Sequence, residues 1–87
     1  MSQDLFVAYA FHNCEFLHAI KLVRALEPNP AVAAIHMKSL CELNAYDSAI
    51  EIGEHYSRLF PDDGAIRYLR GIASYLGALF IRRRDFL

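Results

Sequence analysis

Cysteine and proline are scarce in this chain, and each scarcity removes a class of protein. Two cysteines in 87 residues, Cys14 and Cys41, are too few and too far apart to frame a disulfide-stapled fold. Free thiols at helical positions behave mostly as small buried hydrophobes. The three prolines fall in two turns, Pro28 with Pro30 and Pro61 by itself, so no periodic segment is interrupted. Neither sign of charge dominates: nine Lys and Arg against ten Asp and Glu leave a net charge of −1. Nothing in that balance draws the molecule to nucleic acid or to an anionic membrane. Long hydrophobic runs are missing too. The longest uncharged apolar stretch, Gly71 to Ile81, is well short of the ~20 residues that span a bilayer. The opening MSQDLFVAYAF has neither the basic flank nor the cleavage pattern of a signal peptide. A reducing, cytoplasmic setting is expected.

Apolar residues, by contrast, are abundant, at 55% of the chain. A chain this short makes one domain, residues 1–87, and a small domain buries a smaller share of its surface than a large one. The surplus suggests an apolar face left for a partner.

No segment alternates with period two for long enough to argue a strand, whereas helical spacing recurs throughout. Five helices are predicted. The first runs from about Gln3 to His12, with Leu5, Phe6, Tyr9 and Ala10 apolar. The second runs from about Glu15 to Leu26 on Phe16, Ala19, Ile20, Val23 and Leu26. Pro30, welcome in a first turn, opens the third, which reaches Leu43 with Ala33, Met37 and Leu40 apolar. Asp47 or Ser48 opens the fourth, which runs to Phe60 and carries Ala49, Ile50 and Tyr56. Asp63 caps the fifth, which carries Ile66, Leu69, Ile72, Leu76 and Phe80. Arg82, Arg83 and Arg84 fall in its last turn, where cations suit the helix dipole. Connections this short force neighbouring helices antiparallel, which gives an all-α fold of two hairpins closed by a fifth helix.

Catalytic and metal-binding patterns are sought without success. The histidines are His12, His18, His36 and His55, with no H-E-x-x-H, no close Cys/His set and no P-loop. His12 and Cys14 are neighbours in sequence, yet on a helix they point about 160° apart. Cys41 beside Glu42 resembles a nucleophile only until an orienting histidine is looked for. The reading is of a non-enzyme without metal or cofactor. The Arg82–Arg84 run reads as a solvated helix end, and the apolar face of Gly71 to Arg84 as a cap on the stack in preference to an interfacial membrane helix.

An internal repeat then organises the chain. The segment N-A-Y-D-S-A-I-E-I-G-E-H-Y-S-R-L-F-P-D-D, Asn44 to Asp63, resembles the second half of a tetratricopeptide repeat. The turn, the aromatic, the Ala three residues later and the Pro twelve beyond it are Asn44, Tyr46, Ala49 and Pro61. A small Ala49 lets two helices approach, Tyr46 fills the space beside it, and Pro61 stops the helix. Pro30 to Asp63 spans 34 residues, the length of one such repeat. Upstream, F-L-H-A-I (Phe16 to Ile20) matches Y-D-S-A-I (Tyr46 to Ile50) at an offset of 30, and downstream L-R-G-I-A-S-Y-L-G is similar to the opening of another unit. The chain departs from the family pattern where Trp, Leu, Gly and Tyr are usual, holding Ala33, His36, Met37 and Leu40. Gly53 replaces a bulky residue. A strict 34-residue register puts Arg67 and Arg70 at core positions, so the last helix is expected to shift by about one residue.

The resemblance implies a curved stack whose first helices line a concave groove. Carried over to this chain, the groove positions are Ala8 and Phe11, then Ala31, Ala34, Lys38 and Cys41. The last helix adds Leu69, Ile72, Ala73, Tyr75 and Leu76. Such a lining, apolar and with Lys38 almost alone in charge, suits an amphipathic helix laid in by its apolar face. In size, repeat number and groove character the chain is similar to the tetratricopeptide-like subunit of type III secretion needle-protein chaperones. That likeness implies two small helical partners, a co-chaperone and the needle subunit. The groove would hold the needle subunit's amphipathic helix and prevent premature polymerisation in the cytoplasm. The alternatives are a generic peptide-binding adaptor and a capping piece of a longer helical solenoid.

Overall fold

The computed structural model describes the backbone of residues 3–85 and the side chains of residues 4–82. Five helices account for almost all of it: α1 (Gln3–His12), α2 (Phe16–Arg24), α3 (Pro30–Glu42), α4 (Tyr46–Leu59) and α5 (Gly64–Asp85). Among the described residues there is no strand, so the fold is all-α as expected.

Two matching turns make the hairpins. After α1, Cys14 adopts a positive φ of 61°; after α3, Asn44 does the same at 60°. In the first turn the Cys14 N–H donates to Phe11 O at 3.0 Å and the Glu15 N–H to Ala10 O at 2.9 Å. In the second, Asn44 donates to Cys41 O at 3.0 Å and Ala45 to Leu40 O at 2.8 Å. This paired closure satisfies the carbonyls orphaned at a helix end and reverses the chain. The Tyr46 hydroxyl donates to Asn44 Oδ1 at 2.9 Å and braces the second turn. The backbone thus repeats at an offset of 30, the offset at which Phe16-Leu-His-Ala-Ile matches Tyr46-Asp-Ser-Ala-Ile. Ala19 and Ala49, the small residues at the crossing of each hairpin, are both fully buried.

Helix starts follow ordinary capping. Asn29 Oδ1 accepts the Val32 N–H at 3.0 Å ahead of Pro30, and Asp63 Oδ1 accepts the Ile66 N–H at 2.9 Å. These two caps lie 34 residues apart, and the equivalence continues inward: Val32 and Ile66 are both fully buried, as are Ser39 and Ala73. The expected one-residue shift of the last helix does not occur. Arg67 and Arg70 do stand at the positions equivalent to Ala33 and His36, because no described helix packs beyond α5 on that side. Arg67 is exposed and donates to Pro61 O at 3.2 Å, while Arg70 lays its stem along α4 and donates to Ser57 Oγ at 3.2 Å. Gly53 is the counterpart of that stem. A Cβ built there meets Arg70 Cγ and Met37 Cε at 2.7 Å each, so a bulky residue would push α5 off α4. Gly77 similarly admits Tyr46, whose Cβ would lie 3.1 Å from an added methyl, and the Tyr46 ring tilts against Phe80 at 5.7 Å.

Three apolar clusters run along the stack. Val7, Val23 and Val32 join the first hairpin to α3. Ile20, Leu40, Ala49 and Ala73 form the middle. Ala33, Met37, Tyr56, Ile66 and Leu69 join α3, α4 and α5. The backbones of consecutive odd helices approach within 8 Å, α1 with α3 and α3 with α5, whereas those of α2 and α4 stay further apart. Odd helices closer together than even ones bend the stack, with α1, α3 and α5 on the inside of the curve. The molecule is correspondingly elongated, 48 × 29 × 16 Å.

Candidate partner-binding groove

The caps and turns fix which side chains reach the inner face. On α3 these are Ala31, Ala34, Lys38 and Cys41, at the three-and-four spacing of one helix face. Ala31 and Lys38 are exposed, Ala34 and Cys41 half-buried. An offset of 30 places Ala8 and Phe11, both half-buried, at the equivalent positions of α1. An offset of 34 places Tyr68, Ile72 and Tyr75 at those of α5, with Leu79 one turn further. Tyr68 and Tyr75 are exposed to 69% and 66%, and Leu79 to 39%. The inner face therefore carries small side chains on α3 and a bulky stripe on α5.

The residues expected to line the groove fall in different environments. Ala8, Phe11, Ala34, Cys41 and Ile72 are half-buried, and Ala31, Lys38 and Tyr75 are exposed. Leu69 and Ala73 do not: at 7% and 0% exposure they are packed into the core between α3, α4 and α5. The one-residue shift expected of the last helix is what put Leu69, Ala73 and Leu76 among the expected groove positions. Leu76 is half-buried beside the stripe. Tyr68 and Leu79 were missed, and the signal that finds them is the pair of caps, Asn29 and Asp63, at the strict repeat length.

The groove's electrostatics are quiet. Lys38 is its one formal cation among the described positions of α3, and Asp4, at the equivalent place on α1, accepts from Asn29 Nδ2 at 3.3 Å. Burial, and then the neighbouring Glu42 charge, push the Cys41 thiol above its ordinary range. A thiol held protonated in this way is a packing group and a poor nucleophile.

The outer side differs. A cleft of about 480 Å³ opens between α2 and α4, with Arg24, His36, Glu51, His55 and Arg58 among its lining residues. His36 is 4% exposed, and its Nδ1 is hydrogen-bonded to the Tyr56 hydroxyl at 2.9 Å with the two rings edge to face at 5.8 Å. Burial, then the Arg24 charge, hold its imidazole below the usual histidine range. Held edge to face against Tyr56, this histidine is a wedge between α3 and α4. Among the described residues no set of three His, Cys, Asp or Glu could hold a metal ion. None of the described helices is long and apolar enough to cross a membrane. The side chains of Arg83 and Arg84, expected at the solvated helix end, lie outside the described residues; Arg82 is exposed.

No family model, curated protein or solved structure matches this chain.

Proposed function

We propose that this protein is a non-enzymatic binding module that holds an amphipathic helix of a partner against the inner face of α1, α3 and α5. The observation that carries the reading is the α5 stripe. Tyr68, Ile72, Tyr75 and Leu79 recur at four, three and four residues, the spacing by which one helix presents a seam to another. Large apolar side chains in a line, opposite the small residues Ala31 and Ala34, make a wall and a floor for a rod about 10 Å wide. Tyrosine suits such a surface, because its ring buries apolar area at low entropic cost while its hydroxyl keeps a polar contact.

The client we propose is the amphipathic helix of a type III secretion needle subunit, held in the cytoplasm together with a second small helical chaperone. Support comes from the stacked helical hairpins and the apolar lining with a single lysine, features of the tetratricopeptide-like chaperone subunits that the chain resembles. Covering the client's apolar face would suppress its self-assembly by occlusion alone, with no chemistry required.

The test has two parts. A designed helical peptide with leucines at heptad spacing should bind the chain, and the same peptide with serines there should not. Co-production with needle-subunit candidates should then yield a soluble complex of small helical proteins, which Tyr75→Glu dissolves. Retention of that complex by the Tyr75→Glu chain would place the binding face elsewhere.

A further inference from the structure

The outer cleft between α2 and α4, about 480 Å³, is polarised along its length. Its α4 side is Ser48, Glu51, Ile52, His55 and Arg58, one helix face at three-and-four spacing. Antiparallel packing sorts the lining into two ends. His36 pairs with Tyr56, the neighbour of His55, and feels the charge of Arg24, the last residue of α2. Leu40, one turn further along α3, belongs to the middle apolar cluster, against which Ile52 packs. One end therefore holds Arg24, His36, His55 and Arg58, and the other Leu40, Ile52, Ser48 and Glu51. Glu51 stands seven residues before Arg58, about 10 Å along the helix axis. The cationic end is unsatisfied: Arg24 and Arg58 make no hydrogen bond or ion pair among the described residues. His36 is 4% exposed with Nδ1 on the Tyr56 hydroxyl, while its Nε2 has no partner among the described residues and is not sealed off, so it opens onto the cleft that the ring lines. Burial pushes the Tyr56 phenol above its ordinary range and keeps it protonated. With that O–H donating to Nδ1, Nε2 carries a hydrogen and is a donor towards the cleft.

We propose that this cleft binds a small phosphate monoester, its phosphate held at the Arg24, His36 and Arg58 end and its organic body laid along Leu40 and Ile52. The charges select the head group. Two unpartnered guanidinia balance a phosphate dianion, and the His36 Nε2–H adds a donor, whereas a carboxylate brings one charge and two oxygens. The volume selects a small molecule, since it falls within the ~300–1,000 Å³ of small-ligand pockets and a bare phosphate would leave the apolar end empty. Glu51 selects against a second anionic group at the far end and suits a neutral or amine-bearing body. The proposal does not rest on the inner face, which lies on the other side of the stack and carries different residues.

An amide chemical-shift titration of the full chain with phenyl phosphate tests it, at about pH 7.5, where the ester is a dianion, and about 20 mM salt, where screening is weak. The expected result is saturable shifts at Arg24, His36 and Arg58, half-complete at about 1 mM, with inorganic phosphate and benzoate each binding more weakly. Arg24→Gln and Arg58→Gln should each weaken binding about tenfold, the loss of one charge-assisted contact. Both side chains are exposed, so the fold should be retained. Glu51→Gln should tighten binding roughly twofold by removing a like charge about 10 Å away, a gain that a damaged fold cannot produce. Tyr75→Glu should change nothing. Shifts that do not saturate by about 20 mM, or binding indifferent to both arginine variants and to Glu51→Gln, would overturn the site. Benzoate binding as tightly would overturn the phosphate head, and inorganic phosphate binding as tightly would overturn the organic body.

Discussion

The same substitution at two helix-interior glycines should move stability in opposite directions. Gly71 lies in the middle of α5, exposed, and an added Cβ there meets nothing within 4 Å. Gly71→Ala therefore collects the intrinsic helix preference of alanine over glycine, about 1 kcal/mol. Gly53, in the middle of α4, collects the same preference but must accept a Cβ 2.7 Å from both Arg70 Cγ and Met37 Cε. Met37 is fully buried and cannot swing its methyl into solvent, and Arg70 Cγ is held between its backbone and the Ser57 hydrogen bond. Overpacking of this kind costs about 1–3 kcal/mol. The net for Gly53→Ala is a loss of about 1 kcal/mol. For a domain of this size 1 kcal/mol moves the midpoint by about 4–8 °C, so thermal melts followed by circular dichroism should separate the two variants by about 8–16 °C. The double variant Gly53→Ala with Arg70→Ala should recover only part of the Gly53→Ala clash, since the Arg70 stem is gone while Met37 Cε still meets the methyl. Equal stabilisation by both alanines would refute the packing of α5 across Gly53.

Other outcomes follow from the same structure. Cys14 carries a positive φ that a β-carbon disfavours, so Cys14→Asn, matching Asn44 in the twin turn, should stabilise by about 0.5–1 kcal/mol in urea titrations. Ser39 Oγ is buried without a hydrogen-bond partner, so Ser39→Ala should hold or raise stability, by up to about 1 kcal/mol, instead of opening a costly cavity. Ala49→Leu should lower stability by about 1–3 kcal/mol, because Ala49 is fully buried where α3 and α4 cross. The buried His36 imbues the fold with a pH dependence: its folded pKa lies below the ordinary 6.5, so the unfolded chain takes up the proton first. That contribution is complete above about pH 6.5 and is lost as pH falls through that value towards the folded one. Urea midpoints should drop between pH 7.5 and 5, with a shallower drop for His36→Gln.

Much of the architecture was legible because local chemistry specifies it. Pro30 and the Asp63 carboxylate mark two helix starts by mechanism, and both starts are found where expected. The start of α4 at Tyr46 was harder to read. Asp47 and Ser48 look like caps, but the left-handed turn at Asn44 delivers the chain to α4 and no side chain caps it. The end of α2 at Arg24, short of Leu26, reflects a tightened last turn in which Ala25 and Leu26 donate to carbonyls three residues back. The faces of α5 were harder to read. Periodicity alone could not separate the core stripe of α5, Ile66, Leu69 and Ala73, from the open stripe, Tyr68, Ile72 and Tyr75, since both are apolar at helical spacing. Two arginines at supposed core positions pointed to a shifted register; among the described residues no helix covers that side of α5, so they stand there without being buried. Gly53 had no visible reason in sequence, because the group that requires it, Arg70, arrives from the next helix.

The measurement that bears most directly on the account is a backbone-amide chemical-shift titration of the full chain with the leucine-heptad peptide. Shifts concentrated at Ala34, Lys38, Tyr68, Ile72, Tyr75 and Leu79, and absent from Arg24, Glu51 and Arg58 on the outer cleft, are the predicted result. Shifts confined to the outer cleft, or no saturable change at millimolar peptide, would contradict the inner face as the binding surface.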